Sequence, residues 1–118
     1  MNDGQIEPVS EAEKITPTYK RYAKRLGKLF WEKDSQWNHE KNDYVSRYYL
    51  VMVSGLDTRW NGRYRYQVTV LDKAELEYRR ATYNIAASQF DRYVALQNFV
   101  ELDKANPVAP VADGPRKW

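Results

Sequence analysis

The sequence contains no cysteine and a single histidine, His39. Without cysteine the chain can form neither disulfides nor thiolate metal sites, and it has no cysteine nucleophile. With one histidine, a metal site built from several imidazoles is excluded, and an acid–base role would rest on one unpartnered group. The absence of cysteine fits a reducing compartment, so we expect a cytoplasmic or virion-associated protein.

Long apolar runs are also missing from the sequence. The longest mostly apolar stretch, YYLVMVSGL at residues 48–56, is far shorter than the roughly 20 residues that a membrane-spanning helix needs. Residues 1–14 are polar and acidic, without the apolar centre of a signal peptide. We therefore expect no transmembrane segment and no signal peptide. We also expect no peripheral membrane contact, because the apolar side of the first helix described below is needed for the fold.

Sequence motifs of catalysis are absent as well. The chain has no phosphate-binding glycine-rich loop, no Gly-x-Ser-x-Gly and no His-Glu-x-x-His, and its carboxylates are scattered. His39 lies among polar residues, which is typical of an exposed histidine. We therefore predict no catalytic residues, no metal site, no cofactor and no enzymatic activity. An enzyme acting on an anionic substrate is the most distant alternative.

What the sequence does contain indicates one small globular domain. The 118 residues are 42% hydrophobic and 14% aromatic, with 30% charged residues and a net charge of +3. This composition is more apolar than that of a disordered chain, and the length suits a single core. The positive charge is too small to identify a nucleic-acid-binding protein unless the cations are clustered.

A basic amphipathic helix is predicted over residues 17–32. Thr16 has the chemistry of an N-cap and Pro17 suits the first helical position, whereas Gly27 weakens the segment. Apolar residues recur at helical spacing: Tyr19, Tyr22, Ala23, Leu26 and Phe30. The opposite side carries five cations that could contact an anionic ligand: Lys20, Arg21, Lys24, Arg25 and Lys28.

A β-hairpin of residues 46–57 and 63–71 is the strongest local prediction. Asn61-Gly62 separates two β-rich runs and favours a type I′ turn. If Trp60 faces Arg63, one face of the hairpin is apolar and should be buried: Tyr49, Val51, Val53, Tyr64, Tyr66, Val68 and Val70. The other face is polar and offers two more candidate contacts for an anionic ligand: Arg63 and Arg65, beside Gln67 and Thr69.

The remaining segments complete an α+β prediction in which the hairpin packs with helices. Residues 32–43 are predicted as a loop, and residues 73–87 and 89–104 as helices, although alternation over 75–85 also allows a strand. We divide the chain into an N-terminal arm (1–15), one domain (16–106) and a Pro-rich tail (107–118). Ser10 and Glu13 have capping-box spacing, which allows one helical turn in the arm.

These observations predict an interaction or structural subunit that docks on a protein partner or a larger assembly. The contacts would come from the tails and from exposed aromatic residues, because large aromatics dominate the energetics of interfaces: Trp37, Trp60 and Trp118. The alternative is an RNA- or DNA-binding module that uses the basic helix and the arginine face of the hairpin.

Overall fold

The computed structural model describes residues 10–60, 62–77 and 79–116. Within this part of the chain the elements are three α-helices, five strands and one 3₁₀ helix, in this order: α1 (Glu11–Lys14), α2 (Pro17–Ala23), β1 (Leu29–Asn38), β2 (Asp43–Trp60), β3 (Arg63–Val70), the 3₁₀ helix (Glu75–Glu77), β4 (Thr82–Ala86), α3 (Ala87–Ala95) and β5 (Phe99–Glu101).

The strands form one antiparallel sheet in the order β4-β3-β2-β1-β5. The helices α2 and α3 pack on one face of this sheet, through Tyr22 and Phe90. The α+β prediction for a single small domain is therefore confirmed. The sheet is larger than the predicted hairpin, because three segments expected to be helix or loop contribute strands.

The predicted hairpin is present as β2 and β3, with two irregularities in its register. Pairing starts as expected and then shifts by one residue twice, as three pairs show: Trp60↔Arg63, Leu56↔Tyr66 and Val53↔Val68. Because successive side chains of a strand alternate between faces, two shifts together preserve the buried face. At the turn Gly62 has the expected positive φ of 71°, and Asn61 lies outside the described residues.

The core lies between that face and the two helices. Phe90 of α3 is fully buried and stacks on Phe99 of β5, with ring centroids 4.3 Å apart. It also meets Phe30 and Tyr66 edge-on, at 5.1 and 5.2 Å. Most of the predicted apolar hairpin face is buried here as well: Tyr49, Val51, Val53, Tyr66, Val68 and Val70. Tyr64 is partly buried against the same cluster.

The two N-terminal caps are confirmed. The Ser10 hydroxyl accepts a hydrogen bond from the Glu13 N–H at 3.3 Å, which starts the single turn of α1. The Thr16 hydroxyl accepts from the Tyr19 N–H at 3.2 Å, with Pro17 at the start of α2. Both contacts satisfy N–H groups that have no partner within the helix.

The predicted helix over residues 17–32 is wrong after Ala23. Gly27 has a φ of +77°, which an α-helix does not accommodate, and the chain turns there. The backbone then pairs with β2, since the Gly27 N–H donates to the Val53 carbonyl at 2.8 Å and the Val53 N–H donates to the Lys28 carbonyl at 3.1 Å. Residues 29–38 continue as β1, so the loop predicted over residues 32–43 is also wrong.

The helix predicted over residues 73–87 is wrong too. Asp72 accepts hydrogen bonds from the N–H groups of Ala74 and Glu75, but this cap starts only the short 3₁₀ helix. Residues 82–86 form β4 along the exposed edge of β3. The strand alternative for residues 75–85 is therefore right only from Thr82 onward.

The helix predicted over residues 89–104 is replaced by α3 and β5. The helix α3 covers Ala87–Ala95 and ends before Gln97, whose φ is +62°. The chain then enters β5, which pairs with β1. The apolar residues Phe99 and Val100, which extend the helical pattern in the sequence, lie instead on opposite sides of a strand.

Candidate functional site

The predicted basic face of the first helix is largely neutralised by acidic side chains. Arg21 and Arg25 both form ion pairs with Asp91 of α3, and the Arg21 Nη1 to Asp91 Oδ2 distance is 3.3 Å. Lys28 lies 3.2 Å from the Glu101 carboxylate of β5. Lys20 and Lys24 are exposed. These ion pairs therefore link the α2 region to α3 and β5, and the cations do not form one continuous basic stripe.

The two arginines of the hairpin have different surroundings. The Arg65 Nη2 atom is 2.9 Å from Oδ2 of Asp57, a fully buried carboxylate. Arg63 is exposed and lines a surface depression with Thr18 and Tyr22 of α2. Among the described residues, three of the predicted cations form no ion pair: Lys20, Lys24 and Arg63.

Of the predicted anchors, only the Trp37 side chain lies in the described part of the chain. It is 46% exposed, and its ring meets the ring of Tyr44, which is 51% exposed, edge-on at 5.2 Å. Trp37 and Tyr44 face each other directly across β1 and β2. The position of the Trp60 side chain and all of Trp118 lie outside the described residues, so those two predictions are untested.

Trp37 and Tyr44 are near the end of a two-stranded extension of the sheet. Strand β5 pairs with β1 only at residues 30–32, and β3 pairs with β2 only from Val51 onward. Residues 33–38 and 43–48 therefore have only each other as strand partners among the described elements. We call these residues the ribbon.

A buried carboxylate cluster lies where the ribbon joins the rest of the sheet. Glu32 is 1% exposed, and Tyr83 of β4 donates a hydrogen bond to it. Nη1 of Arg79 and Nη2 of Arg116 each lie 3.4 Å from Glu32 Oε2. Burial raises the pKa of Glu32 despite the two guanidinium groups, and burial together with Glu32 raises the pKa of Tyr83 well above its ordinary value.

Arg116 reaches this cluster from the C-terminal segment, which lies along β1. The Trp31 indole N–H donates to the Asn106 carbonyl at 3.1 Å, and Lys33 Nζ donates to the Asp113 carbonyl at 2.8 Å. The Arg116 N–H donates to the Ser35 hydroxyl. Residues 106–116 thus contact their own sheet, while docking of the tail on another chain remains a prediction.

A small cavity of about 170 Å³ opens beside the ribbon. We call it the acidic pocket, and its lining is Asp34, Gln36, Trp37, Asn38, Val45, Arg47 and Glu75. Arg47 Nη2 is 2.8 Å from Glu75 Oε1, and Arg47 Nη1 is 3.2 Å from Asp72 Oδ2. Burial and the neighbouring Asp34 carboxylate raise the pKa of Glu75, whereas the hydrogen bond from Arg47 lowers the pKa of Asp72.

Sequence patterns predicted Trp37 as a contact residue but missed its partners. Tyr44 begins a run in β2 whose side chains alternate between the two faces of the sheet. This alternation identifies Tyr44 as the neighbour of Trp37 only once residues 32–38 are recognised as the pairing strand. Glu32, Asp34 and Glu75 have no local signature, because the residues that surround them come from distant parts of the chain.

The described residues contain no cluster of three or more histidine, cysteine, aspartate or glutamate side chains that could hold a metal ion. His39 is exposed in the turn between β1 and β2. Within the same residues, no helix has the length and apolar character needed to cross a membrane. Comparisons of this chain with protein families, curated proteins and solved structures find no match. Its function must therefore be inferred from its own side chains and their geometry.

Proposed function

We propose that this chain is a non-enzymatic interaction subunit that docks on a protein partner through Trp37 and Tyr44 of the ribbon. The observation that carries the proposal is the exposure of these two packed aromatic rings, 46% and 51%, on a part of the sheet that pairs with no third strand among the described residues.

The area of the pair is sufficient to anchor an interface. A buried aromatic side chain removes about 150–250 Å² from water, so covering the exposed halves of both rings removes about 200 Å². At ~25 cal/mol per Å², this burial contributes about 5 kcal/mol before the costs of association. Two residues of this kind are typical of the small set that dominates the binding energy of an interface.

The geometry also lowers the entropy cost of docking. Trp37 and Tyr44 are direct cross-strand neighbours whose rings already contact each other at 5.2 Å. Aromatic side chains have only two rotatable χ angles, and mutual packing restricts them before the partner arrives. The ribbon therefore presents a preorganised apolar contact.

The test compares the native protein with Trp37→Ala/Tyr44→Ala in quantitative affinity purification from the source cells. The amount of partner recovered with the double variant should be at least about tenfold lower than the amount recovered with the native protein. Leu71→Ala/Leu76→Ala is the matched control, because both leucines are exposed to a similar extent, 41% and 39%. Val108→Ala/Val111→Ala tests docking through the tail, since both valines are exposed. Equal retention by the double variant and the leucine control contradicts the proposal.

Binding to RNA or DNA is a second candidate, supported by Lys20, Lys24 and Arg63. These cations are exposed and form no ion pair with described residues. If each contacts one phosphate, the logarithm of the affinity for duplex DNA should fall with the logarithm of salt concentration with a slope near −3. Replacing the three by alanine should flatten that slope in a fluorescence anisotropy titration, while Arg80→Ala should not. No binding of either nucleic acid at low salt eliminates this candidate.

A further inference from the structure

We propose that the acidic pocket binds an arginine side chain supplied by the protein partner. The inference deepens the proposed function, because Trp37 lines the pocket and also belongs to the exposed aromatic pair. The chemistry of the pocket is nevertheless testable without the partner.

The fold brings the lining residues together from three elements. Asp34 pairs with Arg47 across β1 and β2, and Gln36 pairs with Val45, so these four side chains share one face of the ribbon. The 3₁₀ helix, which Asp72 caps, places Glu75 against this face.

Glu75 has an unused hydrogen-bond acceptor. The residue is 2% exposed, and its Oε1 atom accepts from Arg47 at 2.8 Å. No described residue donates to Oε2. A buried carboxylate oxygen without a donor is unfavourable, so a ligand that supplies an N–H group there gains affinity. This orphaned oxygen belongs to a residue that lines the cavity.

The surrounding charges favour a cation as that ligand. The pocket adjoins the buried carboxylate cluster, and the ionic groups of the two form one network. Among the described residues, the network brings four carboxylates together with three guanidinium groups: Glu32, Asp34, Asp72 and Glu75 with Arg47, Arg79 and Arg116. Asp34 and Glu75, which line the cavity itself, are both acidic, and this favours a cationic ligand there. This local charge is opposite in sign to the net charge of the chain, +3.

A guanidinium group suits the pocket better than other cations. Its planar fork of N–H donors matches carboxylate oxygens, and it is less strongly hydrated than an ammonium group. The neighbouring ion pairs of this protein already use arginine in every case: Arg47, Arg79 and Arg116.

The probe for this proposal is N-acetyl-arginine-methylamide, titrated into the ¹⁵N-labelled protein and followed by NMR. Saturable shifts should appear at the amides of Asp34, Trp37 and Glu75. The citrulline analogue has nearly the same shape without the charge and should bind at least about tenfold more weakly. The lysine analogue should also bind more weakly than arginine.

Glu75→Gln should weaken arginine binding at least about tenfold, because it removes the charge and converts one acceptor into a donor. Glu77→Gln, on the same 3₁₀ helix but exposed, is the matched control and should leave the affinity unchanged. If Glu75→Gln does not fold, Asp34→Asn serves the same purpose, since Asp34 lies on the sheet and lines the same cavity.

Equal binding of arginine and citrulline, equal binding of arginine and lysine, or unchanged affinity of Glu75→Gln overturns the proposal. Failure of the proposed function gives a different result: Trp37→Ala/Tyr44→Ala then retains the partner, whatever the arginine titration shows. Loss of the partner with no arginine binding refutes the pocket alone.

Discussion

Replacing Arg116 by alanine tests whether the C-terminal segment is part of the folded domain. The Arg116 side chain is 19% exposed and lies 3.4 Å from the Glu32 carboxylate. Its guanidinium carbon is 4.8 Å from the ring centroid of Tyr93 and 5.8 Å from that of Phe99. Alanine removes these three contacts and leaves Glu32 with Arg79 and Tyr83.

The expected loss follows from those contacts. We assign ~1.5 kcal/mol to the ion pair with the buried Glu32 carboxylate, the lower end of the range for contacts to a charged group, because the N–O distance is 3.4 Å and the arginine is partly exposed. A cation–π contact adds ~0.5–1 kcal/mol. We expect Arg116→Ala to lower the free energy of unfolding by about 2–3 kcal/mol, which corresponds to a decrease in Tm of about 8–15 °C.

Urea unfolding followed by tryptophan fluorescence, with a thermal scan by circular dichroism, measures the effect. Arg80→Ala is the matched control, because Arg80 is exposed and its loss should change the free energy by no more than about 0.5 kcal/mol. If the two variants unfold at the same urea concentration, the contacts of Arg116 do not stabilise the domain and the reasoning is refuted.

Three further changes test the sheet, the buried carboxyl and the first turn. Val68→Asp should lower the free energy of unfolding by more than about 4 kcal/mol, because Val68 is fully buried. Thr69→Asp, on the opposite face of β3, should keep a cooperative unfolding transition. Similar Tm values for the two variants would refute the assigned faces. Burial raises the pKa of Glu32 above 4.5, so the stability that this carboxyl contributes is complete below pH 4.5 and is lost as the pH rises through the raised value. The free energy of unfolding of the native protein minus that of Glu32→Gln should therefore fall over this range, and a rising difference contradicts the assignment. In Gly27→Ala the added Cβ meets no atom within 4 Å, but alanine is strained at a φ of +77°. The substitution should therefore lower the free energy of unfolding, measured in urea, by ~1 kcal/mol. A stabilised variant argues against that turn.

The sequence predicts the β2–β3 hairpin well because its signals are local. Asn61-Gly62 marks the turn, and alternation along both strands marks the buried face, which two register shifts preserve. The caps at Ser10 and Thr16 are local signals as well, and both are confirmed.

The segment after α2 is not predictable in the same way. Phe30 fits the helical spacing set by Tyr22 and Leu26, yet it is buried in β1 because β2 pairs with the backbone beyond Gly27. The alternation within β1 is hidden, since Glu32 occupies a buried position that reads as solvent-exposed in the sequence. Its neutralisation depends on Arg79 and Arg116, which only the tertiary fold brings close.

The same reason limits prediction of the candidate site. Trp37 is recognisable as an exposed aromatic from its polar neighbours, but its pairing with Tyr44 requires the β1–β2 register. The basic side of the first helix is recognisable too, whereas its neutralisation by Asp91 and Glu101 depends on the packing of α3 and β5.

Site-specific photo-crosslinking in the source cells tests the central claim most directly. A benzophenone amino acid replaces Tyr44, or in separate control proteins Arg80 or Val108, all of which are exposed. We predict a covalent protein adduct of one defined mass at position 44 and none at position 80. Adducts that form at position 108 but not at position 44, or at none of the three positions, contradict docking through the ribbon.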